Sequence, residues 1–190
     1  MSKLHAADKR ADVLRATLRL VGKHGFHGTS VAMILQEAGA GAGTLYRYFD
    51  GKEGLIVELY REIRLAADQA MLNDVGEELP VRERFMRLWH NRATFLLQNA
   101  DYQAFMEQFE LSPFEFAPDE AHEAILTKVE LFFEEARAQQ FMKDEPSPVL
   151  EAIIFAPLRR LVTLHHLGRI SFTEDMIRNT AAACWDAVRR

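Results

Sequence analysis

At 190 residues the chain suits one or two small domains, and 48% hydrophobic with 27% charged residues describes a globular protein with a real core. No apolar run approaches the roughly 18 residues of a bilayer span, charges from Asp8 to Arg15 break up any leader-peptide core, and Cys184, the one cysteine, excludes an internal disulfide and a thiolate metal cluster. A cytoplasmic location is the expectation, and the net charge of −5 divides unevenly: residues 1–52 carry eight basic and four acidic side chains (+4), the remainder fifteen and twenty-four (−9). A basic end on an acidic protein is the electrostatic footprint of a nucleic-acid-binding domain.

In chain order, Val13, Leu14, Thr17, Leu18 and Val21 form an apolar stripe at helical spacing over residues 8–23, weakened by Gly22 and stopped by Gly25. Phe26 is expected to plug a small core, and His24 and His27 have no acidic or thiol residue at ligand spacing. Thr29-Ser30 offers an N-cap for a second helix marked by Val31, Ile34, Leu35 and Ala38, which Gly39-Ala40-Gly41 ends. The stretch from Gly41 to Phe49 then reads as a third, short helix. Leu45 and Phe49 anchor one face, and Thr44, Arg47 and Tyr48 point outward with hydroxyls and a guanidinium suited to phosphates and base edges. Two short helices joined by a glycine-containing turn are the helix-turn-helix arrangement, whose second helix leads into the major groove. Asp50-Gly-Lys-Glu53 is a capping pattern opening a fourth helix, which continues to about Met71, with Lys52 in its first turn where an ammonium and free backbone N–H groups can hold a phosphate.

The block Thr29-Ser30-Val31-x-x-Ile34 followed by Gly43-Thr44-Leu45-Tyr46-Arg47-Tyr48-Phe49-x-x-Lys52-Glu53-x-Leu55 resembles the TetR/AcrR family of bacterial transcriptional regulators over about residues 9–66. The resemblance implies that Thr29 or Ser30, Tyr48 and Lys52 touch DNA phosphates. It implies that the start of the third helix, with Gly41, Ala42, Gly43, Thr44 and Tyr46, faces base edges, with Arg47 beside them. Many family members carry Ser or Pro and then Lys or Arg where this chain has Gly41 and Ala42. Losing that basic reader shifts sequence choice toward Thr44, Arg47, thymine methyls and DNA shape.

The polar, acidic segment 73–80, closed by Pro80, is the best linker, and the composition places the domain boundary near it or earlier. We divide the chain into residues 1–66, a DNA-binding domain with its helix-turn-helix at about 29–49, and residues 67–190, a domain for ligand binding and dimerisation. Five further helices are expected near 81–98, 101–111, 118–141, 147–167 and 173–189, with Ser147 as N-cap before Pro148 and a kink at Pro157. There is no strand alternation, so the fold class is all-α. The second domain is dense in Phe and Met, which line adaptable apolar cavities. Phe85, Trp89, Phe95, Phe105, Met106, Phe109, Phe132 and Phe155 are the candidate ligand-binding residues, with Arg92 a cation at the pocket's edge.

For the last two helices the resemblance implies a homodimer through a four-helix bundle, and we assign Leu158, Leu161, Val162, His165, Met176, Thr180, Ala183 and Cys184 to that interface. Adjacent His165 and His166 point about 100° apart on a helix and do not form a metal pair. The expected function is a regulator, most simply a repressor, that binds a palindromic operator in double-stranded DNA as a dimer and is released by a small apolar or amphipathic effector. Neither cofactor, metal nor membrane is expected. The alternatives are a helical-bundle enzyme, for which only Asp119-x-x-His122 comes near a di-iron motif, and a non-specific architectural DNA binder, which the acidic remainder disfavours.

Overall fold

The helices expected from the 3.6-residue pattern all form in a computed structural model of the chain, which describes residues 2–190 and the side chains from Lys9 onward. Among the described residues there are nine helices: α1 (Ser2–Gly28), α2 (Val31–Glu37), α3 (Ala42–Tyr48), α4 (Gly51–Leu72), α5 (Val81–Gln98), α6 (Ala100–Glu110), α7 (Glu120–Ala138), α8 (Ser147–His166) and α9 (Glu174–Val188). The one β feature among them is an isolated antiparallel bridge between Met142 and Arg189. The all-α class is therefore observed.

Local chemistry sets the breaks. Gly25 sits inside the long first helix at φ 69, ψ 174, a left-handed conformation that costs glycine little, and kinks it there. Ser30 caps α2 by accepting the Met33 N–H, and Gly39, at φ 57, turns the chain out of that helix. Thr173 and Asp119 cap α9 and α7 in the same way. At α8 the cap falls on Pro146 instead of Ser147, so Pro148 lies in the first turn. The Ser147 hydroxyl is otherwise engaged, donating to Glu130 at 2.8 Å and accepting from Arg137 at 3.0 Å.

The chain forms two units, Met1–Arg64 with Asp101–Ala117, and Leu65–Ala100 with Pro118–Arg190. This differs from a single division at residue 66, because α6 returns to the first unit. The reason is apolar: Phe105, Met106 and Phe109 are buried in the same core as Val13, Ile34, Leu45 and Ile56. Tyr60 stacks on Phe109 at 3.8 Å between ring centres, and Phe26 meets Phe105 edge-on at 5.4 Å. The second unit has its own core, centred on Trp89, Leu96, Ile154, Leu158 and Val162, in which the Trp89 indole N–H donates to the Ile154 carbonyl at 3.1 Å.

Candidate nucleic-acid interface

In the first unit α3 is held by its inward face and presents the other. Leu45 is fully buried and Phe49 nearly so, while Ala42, Gly43 and Arg47 are exposed and Tyr46 is 70% exposed. Burying a leucine contributes about 1.5–3 kcal/mol, so that pair fixes the helix from its inner face. Thr44 and Tyr48 lie half-buried at the edge, and the Arg47 guanidinium rests 4.9 Å above the Tyr48 ring. Gly41 is the N-cap of α3, a position that suits glycine, and neither Gly41 nor Gly43 is required by lack of space. Gly41 adopts an ordinary φ of −81, and a Cβ added at either would meet nothing within 4 Å. Glycine inside a short helix costs about 1 kcal/mol relative to alanine. The result is a helix start bare of side chains.

The flanking contacts sort differently. Ser30 is exposed at the start of α2. Thr29 corrects the expectation: it is fully buried, its hydroxyl donating to the Gly25 carbonyl at 2.8 Å, because it closes the kink that Gly25 opens. Its side chain cannot reach a phosphate from there. Lys52 is half-buried, with Nζ donating to the Phe26 carbonyl at 2.5 Å and two ammonium protons left for another acceptor.

Three other basic residues frame the motif and were not anticipated. Lys9 reaches the Ala38 and Gly39 carbonyls at 3.4 and 3.3 Å and so braces the turn itself. Arg10 bonds Glu58 at 2.6 Å and Glu62 at 2.5 Å, and Arg19 pairs with Glu37 at 3.1 Å. Each partner is 18 to 52 residues away, so no local spacing reveals it. The Lys9 ammonium bonded to Asp12 is the main cause that holds the Asp12 carboxyl below its ordinary value, against an opposing burial effect and with help from the Arg15 guanidinium.

In the second unit, Phe85, Trp89, Phe132 and Phe155 come together around one apolar cavity with Met71 and Leu88, but its open space is about 20 Å³, room for about one water. Phe95 packs half-buried on the core without lining it. Arg92 is not an open cation: its Nη1 bonds Asp68 at 2.7 Å, and both side chains are largely buried. Phe105, Met106 and Phe109 belong to the first unit's core, as described, and not to this cavity. The dimer assignments divide as well. Leu158, Val162 and Cys184 face the second unit's interior, where burial pushes the Cys184 thiol up. Leu161, His165 and Thr180 are half-buried, and Met176 and Ala183 are exposed. The outward stripe of α8 is instead Val149, Ile153, Ala156, Pro157 and Arg160. Because α8 is apolar on both sides, periodicity alone does not tell which stripe faces in.

A short helix fixed by two buried residues, preceded by a glycine turn and a capped partner helix, with a bare and partly basic outer face, defines a helix-turn-helix DNA-binding unit of a transcription regulator. Residues 13–59 match the family described as "Bacterial regulatory proteins, tetR family", and residues 80–189 match "Tetracyclin repressor-like, C-terminal domain". The chain belongs to the TetR family of bacterial transcriptional regulators, proteins that regulate transcription and are not enzymes. An uncharacterized HTH-type transcriptional regulator of Haemophilus influenzae is 27% identical over 106 residues, 56% of this chain and 57% of that protein. The HTH-type transcriptional regulator BetI of Vibrio vulnificus is 42% identical over 55 residues, 29% of this chain and 28% of its own. The alignments thus span little more than half, or less, of these relatives. A TetR family transcription regulator from Marinobacter aquaeolei matches in structure with a TM-score of 0.88 and 27% identity, covering 98% of both chains. Among the described residues no helix is long and apolar enough to cross a membrane.

Proposed function

We propose that this protein is a cytoplasmic, ligand-responsive repressor that binds a palindromic operator as a homodimer and is released by a small apolar or amphipathic effector. In this reading the first unit reads DNA and the second binds the effector and dimerises. The observation that carries it is the outer face of α3, exposed from Ala42 to Arg47 over a buried Leu45. Gly41, Ala42, Gly43, Thr44, Tyr46 and Arg47 face the bases, and Ser30, Tyr48 and Lys52 take phosphates. A two-fold dimer matches an inverted repeat with half-sites a turn or more apart. The outer stripe of α8, apolar apart from Arg160, and Met176, Thr180 and Ala183 of α9 supply its interface.

Release is a linkage: an effector that prefers the state poorly matched to DNA weakens operator binding by its differential affinity, typically about 1–3 kcal/mol. The apolar lining of the Trp89 cavity supports an apolar effector body, which must widen that cavity to enter it. The test is a salt titration of the protein on inverted repeats flanking its own gene and on random DNA. Operator affinity well above random affinity at each salt concentration, with a dimer bound, is expected. Equal affinities throughout overturn the reading in favour of an architectural binder.

A further inference from the structure

The second unit also holds a cleft of about 390 Å³, within the range of small-molecule sites, bounded by the end of α4, by α5 and by α7. Its apolar wall includes Leu72, Leu88, Leu131 and Phe132. Lys128 and Glu77, of opposite sign, also line it and are exposed to solvent, which screens them. Arg84 is different. It is only 8% exposed, its guanidinium lies 5.1 Å over the Phe132 ring, and Nη1 donates to Glu135 at 2.5 Å. Its Nε is buried with no hydrogen-bond partner among the described residues, an unusual state for a charged donor. Glu135 is 39% exposed and has a second partner in Gln139 at 3.0 Å, so it can leave Arg84 without being stranded.

We propose that this cleft binds a small amphipathic carboxylate whose head group displaces Glu135 from Arg84 and whose apolar chain lies along Leu72, Leu88, Leu131 and Phe132. A carboxylate is the head group because Arg84 already holds one, through one nitrogen. A ligand carboxylate engages two parallel N–H groups, filling Nε as well. The cleft shares Leu88, Val129 and Phe132 with the Trp89 cavity, so a chain that moves Phe132 opens the interior. The inference rests on the reading of the second unit as the effector-binding part and names the effector's class.

The experiment is calorimetry on the full chain with decanoate, decan-1-ol and decylamine. Decanoate is expected to bind at least about tenfold tighter than the alcohol, and the amine weakest, the margin a charge-assisted bond gives. Arg84→Met abolishes the margin between acid and alcohol, and Glu135→Gln, which removes the competing carboxylate, widens it. Equal binding of acid and alcohol, binding of neither, or a margin unmoved by Glu135→Gln overturns the proposal, and the last holds even if Arg84→Met does not fold. Operator binding separates the two readings. Arg84-dependent decanoate binding that leaves operator affinity unchanged removes the effector reading and keeps the cleft. Release by decan-1-ol as strong as by decanoate does the reverse.

Discussion

The reading helix of the first unit and the cavity of the second are both built on buried aromatic and aliphatic side chains, but they use them in opposite ways. In α3 the packed residues, Leu45 and Phe49, lie behind the outer face, and Tyr46 beside them is 70% exposed. Around Trp89 the packed residues are themselves the proposed site, since Phe85, Leu88, Phe132 and Phe155 line the cavity and belong to or pack on the core. Where support and contact are different residues, stability and recognition can change separately. Where they are the same residues, a change in one moves the other.

The largest effect should therefore come from Trp89→Ala, which removes a 1%-exposed side chain and leaves the Ile154 carbonyl without its indole partner. A loss of about 3–5 kcal/mol in urea unfolding is expected. The same variant should change effector response more than operator affinity. A loss below about 1 kcal/mol breaks the comparison, because the cavity would then be a site separable from its core.

The next effect sharpens the other side. Leu45→Ala, at a fully buried position, should cost about 2–5 kcal/mol and weaken operator binding with it. Its neighbour Tyr46→Ala should change stability by less than about 0.5 kcal/mol yet cost about tenfold in operator affinity, the size of one base contact. Thermal melts and fluorescence anisotropy on the same preparations check both. A Tyr46 variant that binds the operator as well as the parent takes that side chain out of the interface.

That contrast explains what the sequence made legible. The recognition helix is seven residues, so Leu45 and Phe49 inward and Arg47 outward follow from helical spacing. Tyr46 outward was legible only through the family resemblance, and Thr44 and Tyr48 sit half-buried at the edge instead of pointing fully outward. Helix limits such as Val81–Gln98 were legible for a similarly local reason, the proline before the first turn and the apolar stripe that follows. The rest depends on contacts between distant segments. Phe105 and Phe109 look like any aromatic stripe until α6 is seen to pack with Tyr60. Arg92 looks like an unpaired pocket cation until Asp68, 24 residues earlier, is placed against it. Thr29 fits the phosphate-contacting pattern of the family, and only the kink at Gly25 turns its hydroxyl inward. On α8, Leu158 and Ile153 are equally apolar, and the neighbouring helices alone decide that the first is buried and the second exposed.

The smallest effect concerns the polar ties of the second unit, where support comes from neither unit-wide packing nor a site. Glu130 accepts from Ser147 at 2.8 Å and from Arg137 at 2.9 Å, joining α7 to the start of α8. The Ser147 bond chiefly, and then the Arg137 guanidinium, hold its carboxyl below the ordinary value of 4.5 against a smaller burial effect in the other direction. A depressed folded-state value means that the charged form stabilises the fold: the contribution is complete above 4.5 and is lost as pH falls through the lower folded value. Because the side chain is 47% exposed, solvent screens most of it, and Glu130→Gln should lower stability only slightly at neutral pH. The diagnostic is the pH dependence. The gap between variant and parent should close below 4.5, while a gap that stays constant down to pH 3 shows that Glu130 acts through shape and hydrogen bonding alone, independently of its charge.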